Sequence, residues 1–229
     1  MLEIQPPNSD FKGSTLITGF HGIGATGYWT IKFLVQNLKT QRMAFLDSPS
    51  LPPMSSYSEN HLVTPYEFYR KDDLVFFKAE APPFKGTEVE FFRAMAKWVI
   101  KSEIKEVVLL GGLDLNLRAD DSLYRLAHTR AYEPHGKLKD SKNLEDDHMI
   151  VGPVAILLNM FEIYDFPACA ILAYASTDRL DPRAAATTVK ILAGQYDFQV
   201  DVSSLMSSAE VLESQVSRPQ GGPNDSIYT

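Results

Sequence analysis

The chain is 229 residues long and 45% hydrophobic, with a formal net charge of −7 from 22 Lys and Arg against 29 Asp and Glu and a pI of about 5.2. That length fits one large domain with a sizeable core, and the acidic balance, without a basic cluster, disfavours nucleic acid and anionic membranes as partners. The longest apolar run, 149–161, is too short to span a bilayer, no secretion signal is visible, and the single Cys169 excludes an intramolecular disulfide or a cysteine-cluster metal site, so a soluble, cytoplasmic protein is expected.

Residues 14–20 (STLITGF) read as a short buried strand, followed by a glycine-rich turn and a helix over about 26–39. Tyr28, Ile31, Leu34, Val35 and Leu38 make the apolar stripe of that helix. A second strand is predicted over 42–47 and a Pro/Ser-rich loop over 48–58. Residues 66–70 and 74–80 read as two strands joined by a turn at Lys71-Asp72-Asp73. Thr87 and Glu90 have capping-box spacing, which predicts a helix from there to about Ser102. Residues 105–110 are a strand ending in Gly111-Gly112.

Residues 123–131 read as another strand, and the polar stretch 133–147 as a solvated insertion or hairpin tip. A buried helix over 152–161 and a strand over 168–175 follow. Asp181-Pro182 is an N-cap with Pro at the first helical position, opening a helix to about Gln195. A last helix, about 204–216, places Leu205, Ala209, Leu212 and Val216 on one face. Alternating strands and helices predict an α/β fold: one three-layer domain over 1–216, with a largely parallel or mixed central sheet flanked by helices. Residues 217–229 form a flexible tail in this reading.

Two readings compete at Gly22-Ile23-Gly24-Ala25-Thr26-Gly27. The G-x-G-x-x-G pattern follows a strand and opens a helix, and Asp47 ends the next strand, which matches the dinucleotide-binding fingerprint. On that reading Gly22, Gly24, Gly27 and Asp47 would hold a nucleotide. On the other, the glycines allow a sharp reversal and close helix–strand packing; Phe20-His21 before the motif, and Tyr28 and Trp29 in the first helical turn, favour it. Gly111-Gly112 likewise read either as part of a ligand crevice or as turn chemistry.

Catalytic constellations are not apparent. There is no G-x-S-x-G elbow or Walker A loop, and His21, His61, His128, His135 and His148 lack metal-binding spacing. Cys169 opens an apolar strand, as an inert thiol would. No enzymatic role and no cofactor are therefore expected.

The chain ends Ile227-Tyr228-Thr229, a hydrophobic–Tyr–any pattern with Thr229 carrying the terminal carboxylate, after a stretch rich in Pro, Gly, Ser and Asn. A short apolar and aromatic anchor on a tether suits capture of a C-terminus by a prepared pocket. The nine residues 218–226 would span about 15–18 Å as flexible chain.

The ordered set of the early strand with Gly22–Gly27, Gly111-Gly112 after a central strand, Gly152-Pro153, and Asp181-Pro182-Arg183-Ala184-Ala185 resembles the archaeal proteasome-assembly-chaperone family, also labelled an ATP-grasp superfamily. The closing helix, with Ala209-Glu210-Val211-Leu212-Glu213, is similar too. The resemblance implies a nucleoside-phosphorylase-like fold, a non-enzymatic role and homo-oligomers. It also implies core proteasome α-subunits as partners: Ile227 would fill an apolar inter-subunit pocket, Tyr228 would hydrogen-bond at its edge, and the Thr229 carboxylate would pair with a pocket lysine. The ATP-grasp label itself finds no matching ATP-binding and metal-ligand set in the chain.

Overall fold

The computed structural model describes residues 2–58 and 60–216, with side chains up to residue 211. Its strands are β1 (Glu3–Gln5), β2 (Thr15–Gly19), β3 (Gln41–Asp47), β4 (Ser56–Ser58), β5 (His61–Val63), β6 (Tyr66–Lys71), β7 (Leu74–Ala79), β8 (Glu106–Asp114), β9 (Tyr124–His128) and β10 (Ala168–Ala175). Its helices are α1 (Thr26–Asn37), α2 (Glu88–Lys101), α3 (Gly152–Ile163), α4 (Pro182–Tyr196) and α5 (Ser203–Val216).

Near-continuous apolar runs need cover on both faces, and β2 and β10 are buried at every residue. They lie centrally in an eight-stranded sheet of order β1-β3-β6-β7-β2-β8-β10-β9. The sheet is mixed: β7, β2, β8 and β10 run parallel, whereas β1, β3, β6 and β7 pair antiparallel, as do β10 and β9. β4 and β5 pair as a separate hairpin.

Side chains alternate between faces along each strand. Val107 and Leu109 of β8 therefore join one core, with Phe91 and Met95 of α2 and Leu157 and Phe161 of α3. Val108 and Leu110 join the other, with Ile31 and Leu34 of α1, Val189 and Leu192 of α4, and Leu205 of α5. The result is the expected three-layer α/β/α domain.

Several local expectations need correction. The short strands β1, β4 and β5 were not anticipated. The Thr87–Glu90 capping box does not form: Thr87 sits at φ −109°, ψ 4° rather than extended, and its hydroxyl donates back to the Phe84 carbonyl at 2.7 Å. The α2 entry is a tight turn, and that geometry aims the hydroxyl away from the helix N–H groups. Gly111 and Gly112 are not turn residues. They pair with Leu172 and Ala173 inside β8.

The polar stretch 133–147 is largely exposed, as expected of a solvated insertion, but it forms no hairpin and is anchored to the body. A 3-10 turn at Gly136–Asp140 buries Leu138 completely, and Gln195 of α4 accepts from the Lys137 and Leu138 N–H groups at 2.8 and 3.2 Å. Glu145, read as a solvated charge, binds the buried Arg125. The Asp181 cap forms as read, accepting from the Ala184 N–H at 3.1 Å.

Candidate functional site

The glycine turn joins β2 to α1 at the ends of the parallel strands, where open α/β sheets place their ligand crevices. Here the backbone packs tightly behind the turn, and what remains in front is a small cavity of about 170 Å³ lined by Gly22, Ile23, Gly111 and Gly112. A Cβ on Gly27 would be driven into the Leu110 carbonyl oxygen, and one on Gly112 into that of Ile23. Gly24 takes φ +61°, and its Cβ would press on Ala175 and Asp181; its carbonyl accepts from the Asp181 N–H at 2.9 Å. Gly24 and Gly27 are buried and only Gly22 is exposed, in an extended conformation with open space around it. These contacts are close helix–strand packing, the second of the two readings of the motif.

Asp47 does not join the glycines. It ends β3, which β6 and β7 separate from β2; three strand spacings amount to about 14 Å. Asp47 instead pairs in register with Glu3 of β1.

A cluster of ionised and aromatic groups, which sequence reasoning missed, starts beside the turn. His21 stacks on Tyr28 at 4.0 Å between ring centroids. The Tyr28 hydroxyl donates to Glu80 Oε2 at 2.7 Å, and Lys78 Nζ lies 2.9 Å from Glu80 Oε1 and 3.3 Å from Glu67 Oε2. Glu67 is fully buried and satisfied: Oε2 accepts from the Tyr69 hydroxyl at 2.5 Å, and Oε1 from Arg42 at 3.1 Å and the Thr64 N–H at 3.0 Å.

The electrostatics follow. Burial works to raise the pKa of Glu67, but the bonds from Tyr69, Thr64 and Lys78 outweigh it and hold the carboxyl below its ordinary value. Glu80 is likewise held low, burial being outweighed by Tyr28 and Lys78. Burial opposes charge on Lys78, yet Glu80, Tyr69 and Glu67 carry its pKa upward. Burial and then Glu67 push Tyr69 up to about 12. His21 is lowered by burial against the opposing pull of Glu80. The cluster is a satisfied ionic network whose carboxyls are held low and whose ammonium is held high by their mutual contacts.

Cys169 is buried, and burial pushes its thiol up to about 12, which makes it inert. Among the described residues, no group of three or more His, Cys, Asp or Glu could hold a metal ion, and no helix is long and apolar enough to cross a membrane. Ile227, Tyr228 and Thr229 lie outside the described residues.

A family model described as the PAC2 family matches residues 16–219. The chain belongs to the PAC2 family. The ATP-grasp label finds no support in these matches. This PAC2 chain is similar to Pyrococcus furiosus PbaA, described as an archaeal homolog of proteasome-assembly chaperone, with 25% identity and a TM-score of 0.77 over 94% of this chain and 95% of that one. It shares its fold with Pyrococcus furiosus PbaB, described as an archaeal proteasome activator, at 20% identity and a TM-score of 0.73, covering 94% and 97% of the two chains. An uncharacterized protein of Methanocaldococcus jannaschii is 20% identical over 222 residues, 94% of this chain and 89% of its own length.

Proposed function

We propose that this PAC2 chain is a non-enzymatic assembly chaperone or adaptor of the core proteasome, and that it docks its C-terminal tail into pockets between α-subunits of the proteasome ring. The observation that carries the reading is the likeness to PbaA, which extends over 94% of the chain. The glycine turn adds support, since Gly27 and Gly112 are explained by close backbone packing against Leu110 and Ile23, and Asp47, the ribose-binding acid of a dinucleotide site, lies three strands from the turn.

The tail supplies the contact chemistry. Ile227 fills the apolar part of a pocket and Tyr228 anchors at its rim, both from a tether long enough to reach a pocket from a body resting on the ring. One tripeptide buries little area and binds weakly. Homo-oligomers of the chain would bring several tails to one ring and raise their effective concentration. Exposed apolar side chains such as Met149 and Val151, 84% and 72% exposed, offer surface for such self-association.

Surface plasmon resonance on immobilised α-subunit rings tests the reading. Wild type binds, Tyr228→Ala loses binding, and Tyr228→Phe, which keeps the ring but not the hydroxyl, falls between them. Equal binding by wild type and Tyr228→Ala would rule out the tail as anchor.

A further inference from the structure

We propose that the groove between α1 and the β4–β5 hairpin binds a phosphorylated small molecule. α1 packs on β2, β7 and β8, so only its outer edge faces the β3–β6 half of the sheet. The hairpin rises on the far side, tied down where Arg42 Nη1 donates to the Leu62 carbonyl at 3.0 Å. Between them lies a groove of about 580 Å³, a volume typical of small-molecule sites.

Its charge opposes that of the whole chain. Lys32, Lys39, Arg42 and Lys78 line it, from α1, the turn after it, β3 and β7. Among the described residues two carboxylates lie here: Glu80 in the lining, and Glu67, which binds the Tyr69 hydroxyl. Both are already matched, Glu67 by Arg42 and Lys78, and Glu80 by Lys78. Lys32 directs its ammonium to the Tyr28 hydroxyl, 3.2 Å away, and over the Tyr28 and Trp29 rings. Neither Lys32 nor Lys39 has a carboxylate at ion-pair distance among the described residues. In a chain of net charge −7, this concavity holds two ammonium groups with no ion-paired carboxylate among the described residues.

The ligand class follows from that surplus. A phosphate monoester carries close to two negative charges at pH 7 and three strong acceptor oxygens. It matches two ammonium groups, and the Ser56 and Ser58 hydroxyls of the hairpin lie in the same lining. A monocarboxylate would leave one cation unmatched. The volume exceeds a bare phosphate, and Val35 and Val63 give an organic body apolar wall. The C-terminal end of α1 opposes an anion through its dipole; the Lys39 charge and the Thr40 hydroxyl, which donates to the Val35 carbonyl at 2.9 Å, offset it. An acidic segment of a partner protein would suit an open basic face better than this concavity.

Titration calorimetry on the full chain at fixed ionic strength tests the site, with ribose 5-phosphate as probe, ribose as the uncharged control and a glutamate-rich octapeptide as the competing class. Ribose 5-phosphate is expected to bind and ribose not to. Lys39→Gln, at an exposed position, and Lys32→Gln, half-buried and confirmed folded by its thermal melt, should each weaken ribose 5-phosphate binding about tenfold, and the double variant about a hundredfold. No ribose 5-phosphate binding up to about 10 mM, binding unchanged in the double variant, or binding of the octapeptide alone would each overturn the proposal.

Discussion

Glu67 and Lys78 face each other across the β6–β7 hairpin, with Oε2 and Nζ 3.3 Å apart and almost no solvent reaching either side chain. Removing one member of a buried pair strands the other charge, at a cost of about 3–5 kcal/mol. Lys78→Met is therefore expected to lose about 3 kcal/mol in urea denaturation, because Arg42 and Tyr69 still hold Glu67. Adding Glu67→Gln should cost less than its effect in wild type, by about 1–2 kcal/mol of coupling. Strict additivity would contradict the geometry.

The same pair sets a pH dependence. The folded-state pKa of Glu67 lies below the ordinary 4.5. A carboxyl with a depressed folded pKa contributes stability above its unfolded value, and that contribution is lost as the pH falls through the folded value. The stability difference between wild type and Glu67→Gln should thus be constant from neutral pH down to about 4.5 and shrink below it. A difference that grows on acidification would show the opposite linkage.

The glycines of the turn should differ sharply in their tolerance of a methyl group. Gly27→Ala and Gly112→Ala push Cβ into backbone oxygens and are expected to lose about 1–3 kcal/mol or more by thermal unfolding. Gly22→Ala meets nothing within 4 Å and adopts an ordinary extended backbone, so its effect should stay within about 0.5 kcal/mol. A large loss at Gly22 would mean that the turn's role is something other than packing.

Arg125 is 1% exposed and held by Glu145 through Nε at 2.6 Å and by Asp120 at 3.1 Å, with Tyr174 beneath the guanidinium. Glu145→Ala leaves Asp120 as the remaining carboxylate and should destabilise by about 1–3 kcal/mol in urea denaturation. A neutral outcome would mean that Asp120 alone satisfies Arg125 and that the Glu145 contact adds nothing to stability.

The helices and longer strands were legible because their signals are local: an apolar stripe in α1, continuous apolar runs in β2, β8 and β10, and Asp181-Pro182 opening α4. β4 and β5 carry three residues each, too few for a pattern, and the serines of β4 read as loop. The glycine motif misdirected because the same residues serve a phosphate or a close helix–strand contact; only the strand order, which places Asp47 three strands from β2, separates the two. The ionic network was within reach. Once the turn at Asp72-Asp73 is accepted, Lys71 pairs with Leu74, and counting back sets Glu67 opposite Lys78. Glu67 and Lys78, opposite charges set among Tyr66, Phe68, Phe76 and Phe77, were the signal.

The proteasome reading is tested most directly by comparing the full chain with one ending at Ser226 for binding to isolated α-rings and to mature core proteasome, with circular dichroism and sedimentation on both proteins. The account predicts that the full chain binds and that the truncated chain does not, with fold and oligomeric state unchanged by the truncation. Equal binding by the two chains, or no binding by the full chain, would contradict it.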